Sequence, residues 1–372
     1  MLLASLSLSV FSTNPHNLLA RFQILSLIGG GIRGSFITSY LRELEQQLGR
    51  PLVESFDLIA GTSTGGIIAA GLAHGYSTEE VHDFYVRYGA SIFHERQPYR
   101  PSGRYRLLFS IANSISRLKK QRRLDTIFRS RYCPGGLAES FDKGFGDLTL
   151  GDIKCSRLIL PTFNLTQGEP HIFRSSHLPI AVRDKEVRIA DALLATTAAP
   201  TYFPHHQIGE SCYVDGGVWA TDPSMLAVAE AIRIQQFQNN LDPDADITTN
   251  NIHLLSIGTG RSQFSLTPPE DDPGILYWAN KVAEVMSTAQ SQGVHLPLKF
   301  FLGDRYEHVN FKMEESWPLD EVSNMEELFA VGERRAKETF ENIKDKFLEH
   351  ERPCFVPFLS TKNEIAVQDL GI

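Results

Sequence analysis

An apolar run, a turn of small residues and a second apolar run follow one another in Asp57-Leu58-Ile59-Ala60-Gly61-Thr62-Ser63-Thr64-Gly65-Gly66-Ile67-Ile68-Ala69-Ala70. Ser63 is the centre of G-x-S-x-G, a pattern that places a serine on a sharp turn between a strand and a helix. Glycine suits the positions two residues before and after it, because neighbouring backbone passes too close for a Cβ. The serine oxygen then lies at a helix N-terminus, where free N–H groups favour a developing anion. The stretch predicts a nucleophilic serine or, alternatively, a tight turn with an ordinary one.

The residues before this turn predict a first strand and helix of the same sheet. Phe22 to Ile28 is a mostly apolar run, typical of a buried strand. It enters the loop Gly29-Gly30-Gly31-Ile32-Arg33-Gly34, after which apolar residues recur at helical spacing as far as Leu48. The order strand, helix, strand, helix is the opening of a parallel sheet covered by helices.

The glycine loop has two interpretations. Gly29, Gly31 and Gly34 satisfy G-x-G-x-x-G, but a dinucleotide site needs an acidic residue at the end of the second strand to hold a ribose. That strand ends in Ala60, and Asp57 lies near its beginning. The alternative is a loop whose backbone N–H groups point at an anion. With a serine nucleophile on the neighbouring strand, this anion is a tetrahedral oxyanion.

A serine nucleophile needs a base, and the candidates are an acid and several histidines. Asp215-Gly216-Gly217 follows a short predicted strand, where α/β sheets place functional groups; an aspartate that caps a turn is the alternative. His205 and His206 precede that strand, and His171, His177 and His253 lie near other predicted strands. A carboxylate, with an ordinary pKa of about 3.9, accepts a serine proton poorly unless burial raises that pKa. A Ser–Asp pair therefore requires a partly closed site and well-placed oxyanion donors.

Composition limits the class of protein and its partners. The net charge is −8 over 372 residues, which gives no case for a nucleic-acid polymer as partner. Four scattered cysteines match no metal or redox spacing, so we expect reduced thiols in a cytoplasmic protein. No apolar run is long enough to span a bilayer, and Met1 to Ser12 lacks the basic residues of a signal peptide.

One region differs from the rest in charge. Between residues 96 and 131 there are eleven Lys and Arg residues and a single acid, Asp125, with aromatic and aliphatic residues interleaved. Such a stretch favours binding to anionic lipid headgroups or to a phosphate-bearing regulator. The alternative is that these residues form a solvated insertion without a binding role. We expect residues 1–21 to be an extension, residues 22–350 one domain with an insertion at about 96–150, and residues 351–372 a tail.

In order along the chain, the glycine loop, the Ser63 turn and Asp215-Gly216-Gly217 resemble the motifs of the patatin-like phospholipase family, with a bacterial-type member as the best fit. Supporting similarity is found in Leu160-Pro161-Thr162-Phe163, Ala198-Ala199-Pro200-Thr201-Tyr202-Phe203-Pro204, Val218-Trp219-Ala220-Thr221-Asp222-Pro223 and Ser256-Ile257-Gly258-Thr259-Gly260. The resemblance implies a three-layer α/β/α fold with a mainly parallel central sheet.

The resemblance also implies a mechanism. It makes Ser63 the nucleophile and Asp215 the general base, with an oxyanion hole from the N–H groups of Gly30, Gly31, Ile32 and Arg33. Gly29, Gly34, Gly61, Gly65, Gly216 and Gly217 complete the motifs. No metal and no cofactor is expected. Many members carry an aspartate directly before the glycine triplet, and this chain has Ile28 there.

The expected activity is hydrolysis of fatty acyl esters in membrane phospholipids or galactolipids, by an enzyme that touches the membrane surface transiently. An anionic activator such as a cyclic nucleotide is a further expectation from bacterial members. The alternatives are an esterase or thioesterase acting on soluble esters, and a non-catalytic lipid-binding or storage protein of the same fold.

Overall fold

Five parallel strands form the centre of the sheet, in the order β3-β2-β1-β7-β9, and antiparallel strands extend it beyond β3. β4 and β6 both pair antiparallel with β3, and β5 pairs with β6. The computed structural model describes residues 21–93, 129–238, 249–262, 275–278, 281–313, 317–353 and 355–358. The sheet strands are β1 Phe22–Leu27, β2 Leu58–Gly61, β3 Arg157–Asn164, β4 Glu169–Arg174, β5 His206–Ile208, β6 Ser211–Asp215, β7 Ile252–Ile257 and β9 Tyr306–Val309. Two short strands, β8 Arg261–Ser262 and β10 Lys312–Met313, pair with each other.

Helices cover both faces of this sheet. They are α1 Gly34–Leu48, α2 Thr64–His74, α3 Thr78–Ile92, α4 Gly135–Phe145, α5 Ile189–Thr196, α6 Ser224–Gln238, α7 Ile275–Trp278, α8 Val282–Leu302 and α9 Met325–Ile343. Alternate residues of β1 face opposite sides: Leu25 lies in the larger apolar cluster and Ile24 in the smaller one. Because both faces are buried, the central strands β1, β2 and β7 are mostly apolar and do not alternate apolar with polar residues. The predicted three-layer, mainly parallel α/β fold is confirmed.

The sequence predicts a helix over roughly residues 273–292. This prediction is wrong in extent, since α8 runs from Val282 to Leu302 with Pro297 inside it. Proline removes a backbone hydrogen bond from a helix interior. Leu298 and Leu302 are nevertheless buried beneath the sheet, at 0% and 1% exposure. Burial of this apolar face outweighs the local penalty, which residue spacing alone does not predict.

Part of the predicted insertion packs into the main core. Leu137, Phe141 and Phe145 of α4 belong to the larger apolar cluster. The ring of Phe141 stacks on that of Phe84 in α3. Most of the basic stretch, residues 94–128, lies outside the described residues, as do residues 1–20 and 359–372.

The last described segments pack onto the body. Phe355 is buried, and the Arg352 N–H donates to the Glu54 carbonyl at 3.0 Å. α9 lies against α1 so closely that a Cβ on Gly332 would be 2.5 Å from the Phe36 carbonyl oxygen. Within the described ranges, no helix combines the length and apolar character needed to cross a membrane.

Candidate active site

Ser63 stands between β2 and α2 in a strained conformation. Its φ is 54° and its ψ is −123°, a combination that costs a non-glycine residue about 1–3 kcal/mol. The flanking glycines permit the turn: a Cβ on Gly61 would lie 2.2 Å from the Gly65 carbonyl, and one on Gly65 would lie 2.3 Å from the Leu27 carbonyl. The turn is the strand-to-helix turn that G-x-S-x-G predicts.

The glycine loop lies directly against the nucleophile. A Cβ on Gly29 would be 3.2 Å from the Cβ of Ser63. The Gly29 N–H donates to the Thr221 carbonyl at 3.1 Å, and the Thr259 hydroxyl donates to the Gly29 carbonyl at 3.2 Å. These bonds anchor the loop at Gly29, directly after Ile28.

The four predicted oxyanion donors are not equally available. The Gly30 N–H donates to the Thr64 hydroxyl and the Arg33 N–H to the Gly30 carbonyl, both at 3.2 Å. The Ile32 N–H donates to the Leu319 carbonyl at 2.7 Å. Among the described residues, the Gly31 N–H alone of the four has no acceptor. Gly31 adopts φ +59°, which glycine accommodates readily.

Arg33 and Gly34 complete the loop. The Arg33 Nε donates to the Gly30 carbonyl at 3.3 Å, so the guanidinium lies against the predicted hole. Burial lowers the pKa of Arg33 to about 10, which leaves the side chain cationic at neutral pH. Gly34 begins α1, and a Cβ there would be 3.0 Å from the Tyr85 hydroxyl.

Asp215 ends β6 on the other side of Ser63. It is paired with Thr162 of β3, and its own N–H donates to the Ala198 carbonyl at 3.1 Å. The carboxylate accepts a hydrogen bond from the Gly217 N–H at 2.6 Å. Gly216 lies against β3, since a Cβ there would be 2.2 Å from the Pro161 carbonyl. Two strands and a turn thus position the acid.

The Asp215 carboxyl group is buried beside the serine. Burial raises its pKa to about 6, and the facing Ser63 hydroxyl and the Gly217 N–H act in the opposite direction. The Ser63 hydroxyl lies within hydrogen-bonding reach of this carboxyl group. Such bonds are often long without substrate and tighten in the substrate complex. The two predicted catalytic side chains, 152 positions apart in the chain, are thus brought together.

Threonines support the serine turn, and the sequence reasoning missed them. The Ser63 N–H donates to the Thr196 hydroxyl at 3.2 Å, and that hydroxyl donates to the Pro161 carbonyl at 2.6 Å. The Thr62 hydroxyl donates to the Ala220 carbonyl at 2.7 Å. Thr259 lies in Ser256-Ile257-Gly258-Thr259-Gly260, directly after the buried strand β7. That position at the end of a strand is the one sequence feature that pointed to a functional role for Thr259.

The histidines considered as bases have other surroundings. Burial lowers the pKa of His171 to about 4, and His177 is hydrogen-bonded to Glu230 at 2.9 Å. His206 contacts Asp191 at 3.0 Å, and His205 is exposed. His253 lies on β7 with its ring near that of Phe347. In the described part of the chain, none of the five is hydrogen-bonded to Ser63.

The part of the chain that the structure describes holds no cluster of three or more His, Cys, Asp or Glu side chains arranged for a metal ion. Cys133, Cys155 and Cys212 are free thiols, and Cys354 lies outside the described residues.

Comparison with known proteins connects this geometry to a family. A family model described as patatin-like phospholipase matches residues 25–228, which include the glycine loop, Ser63 and Asp215. A protein of Vibrio cholerae serotype O1 named cGAMP-activated phospholipase is 35% identical over 256 residues, covering 66% of this chain and 66% of that protein. One of the same name from Escherichia coli is 34% identical, covering 67% and 65%. A third, from Pseudomonas aeruginosa, is 31% identical over 294 residues, covering 78% of both chains. The alignment thus spans slightly less than two thirds of the first two relatives.

Proposed function

Because this chain belongs to the patatin-like phospholipase family, we propose that it hydrolyses fatty acyl esters of membrane glycerolipids, with Ser63 as nucleophile and Asp215 as general base. The observation that carries the proposal is the buried Asp215 carboxyl group facing the strained Ser63, with the glycine loop against the serine. A pKa near 6 makes this carboxylate a better proton acceptor than an ordinary aspartate while it stays ionised at neutral pH.

The acylation step follows from this arrangement. The Ser63 oxygen attacks the ester carbonyl carbon and its proton passes to Asp215, while the carbonyl oxygen becomes an oxyanion held by N–H groups of the glycine loop. The C–O bond to the glycerol oxygen then breaks, and Asp215 returns the proton to that leaving oxygen. The products of this step are an acyl-serine and a lysolipid.

Deacylation repeats the sequence with water. The oxygen of a water molecule attacks the acyl carbon while Asp215 takes a proton from that water. The same glycine-loop N–H groups stabilise the oxyanion of this second tetrahedral intermediate. Its collapse releases the fatty acid and returns the proton to the Ser63 oxygen. General acid–base catalysis of this kind contributes about 10²–10⁴-fold, and each oxyanion donor about 10²–10³-fold.

Mass spectrometry of lipid products from wild type, Ser63→Ala and His206→Gln tests the proposal. We expect fatty acid and lysolipid from wild type and His206→Gln, and neither from Ser63→Ala, because only the serine forms the acyl intermediate. Wild-type rates from folded Ser63→Ala would contradict it. Soluble esters or thioesters as the only substrates would favour an esterase, and failure of a fluorophosphonate to label Ser63 would favour a lipid-binding protein.

The proposal includes peripheral contact of a cytoplasmic enzyme with the lipid surface. Supporting this, α8 exposes apolar side chains along one face, with Met286 at 60% and Phe300 at 80% exposure. The same helix is tied to the segment after Asp215 by a 3.0 Å contact between the Ser287 and Thr221 hydroxyls. An apolar surface beside the site suits an enzyme whose substrate lies in a bilayer.

We also propose activation by an anionic cyclic nucleotide, supported by the names of the three relatives. The sequence offers the basic stretch of residues 96–131 as its contact, and that stretch lies mostly outside the described residues. Activity on liposomes of varied anionic content, with and without cyclic dinucleotides, tests both ideas. A rise in activity when nucleotide is added at constant lipid composition supports the activator. If activity responds neither to anionic lipid nor to nucleotide, the basic stretch has only a structural role.

A further inference from the structure

A short segment before α9 lies against the loop of the predicted oxyanion hole. We call residues 317–320, Trp317-Pro318-Leu319-Asp320, the strap. Its Leu319 carbonyl accepts the Ile32 N–H at 2.7 Å, and a Cβ on Gly31 would lie only 2.1 Å from the same carbonyl oxygen. A backbone carbonyl of the chain itself therefore lies at the glycine loop.

We propose that the strap is an autoinhibitory contact, which must leave the glycine loop before Ser63 reaches its full rate. A distance of 2.7 Å lies in the range at which an oxyanion-hole donor meets the oxyanion itself. An N–H that already donates to Leu319 cannot also donate fully to a tetrahedral intermediate. This inference rests on the proposed function, since it concerns the donors of that reaction.

The strap is held by a buried acid at its end. Asp320 forms an ion pair with Arg131 and accepts a hydrogen bond from the Tyr132 hydroxyl at 2.5 Å. Its side chain is 7% exposed, whereas that of Arg131 is 39% exposed. A buried carboxylate depends on such partners, because without them it is drawn toward water. We call this set of three residues the latch.

Two residues of the latch are hydrogen-bonded through their backbone to the segment after α5, the helix whose Thr196 contacts Ser63. The Arg131 N–H donates to the Thr201 carbonyl at 3.0 Å, and the Tyr132 N–H to the Tyr202 carbonyl at 2.8 Å. At the other end of the strap, Trp317 packs against Phe311, with ring centroids 6.4 Å apart. The strap is thus attached at both ends, by an apolar contact at Trp317 and by a charged contact at Asp320.

The charged end can be released by a substitution that removes one charge of the ion pair. Asp320→Asn removes the negative charge, and Arg131→Gln leaves the carboxylate buried without its cation. Either change favours a strap that leaves the loop. Glu321→Gln is the matched control, because it removes the same charge one position away, where the side chain is exposed.

The test measures the rate at which a fluorophosphonate labels Ser63, which needs no lipid surface. We expect Asp320→Asn and Arg131→Gln to label about tenfold to a hundredfold faster than wild type and Glu321→Gln, up to the value of one oxyanion donor. Hydrogen exchange of the Ile32 amide, followed by mass spectrometry, is expected to accelerate in the same two variants.

The outcomes separate this inference from the proposed function. Unchanged or slower labelling in both latch variants, with unchanged Ile32 exchange, overturns the strap and shows that Leu319 supports the loop. No labelling of Ser63 in any variant contradicts the proposed function, while faster Ile32 exchange in the latch variants would still support the strap. If one latch variant fails to fold, the other decides.

Discussion

The serine side and the acid side of the site are built in different ways. Ser63 is positioned by backbone: a strained turn, two glycines at close approach and a helix that begins at the next residue. Asp215 is positioned by burial and pairing, at the end of a strand whose neighbour is β3. The first arrangement aims a nucleophile, and the second changes the pKa of a base. A Ser–Asp pair needs both, because neither side chain is reactive in its ordinary state.

The largest effect is expected from a comparison of two buried aspartates. Asp215 and Asp222 both have a pKa raised by burial to about 6, but only Asp215 faces Ser63. We expect Asp215→Asn to lower kcat by about 10³-fold, in the range of a lost general base. Asp222→Asn keeps a side-chain oxygen that can cap the start of α6 and should change kcat less than tenfold. Steady-state kinetics on both variants checks this. Equal losses of kcat would show that Asp215 has no role beyond that of a buried aspartate.

A second test uses pH to address the acid side alone. Because Asp215 acts as base only when ionised, kcat/KM should rise with pH through about 6 and fall about tenfold per unit below it. Without Asp215's elevated pKa the inflection would lie near pH 4, the ordinary range of an aspartate. Because the pKa of Asp215 is higher in the folded than in the unfolded state, its ionisation lowers the free energy of unfolding as pH rises through 6.

Unfolding of Asp215→Asn checks this second consequence. At pH 8 the variant should be more stable than wild type by up to about 2–3 kcal/mol, since no buried charge remains, and at pH 4 the difference should vanish. Denaturant titrations at the two pH values measure it. A constant difference across pH would assign the effect to packing.

The smallest expected effect concerns the serine side. Ser63→Gly and Ser63→Ala should both be inactive, but the glycine variant should be the more stable by about 1 kcal/mol, because glycine accommodates φ 54° without a Cβ penalty. Denaturant midpoints of the two variants give the comparison. Equal stability would show that the turn is relaxed by its surroundings rather than strained.

Much of the serine side was predicted from the sequence because its causes are local. The apolar run, the spacing of Gly61 and Gly65 around Ser63 and the helical period after Arg33 each act over a few residues, and the structure has β1, β2, α1 and α2 there. The extent of α8 was predicted wrongly, since a buried face formed by distant strands outweighs Pro297.

The amino-acid sequence was sufficient to predict the α/β class, the order of the strands and helices around Ser63, and the candidates for nucleophile and base. Tertiary structure alone decided that Asp215 rather than a histidine faces Ser63, that threonines from three segments hold the loop and the turn, and that the Leu319 carbonyl occupies the Ile32 N–H. The physical reason is range. Turn geometry and periodicity depend on neighbours in the chain, whereas burial, a raised pKa and the choice of hydrogen-bond acceptor depend on residues that only folding brings together.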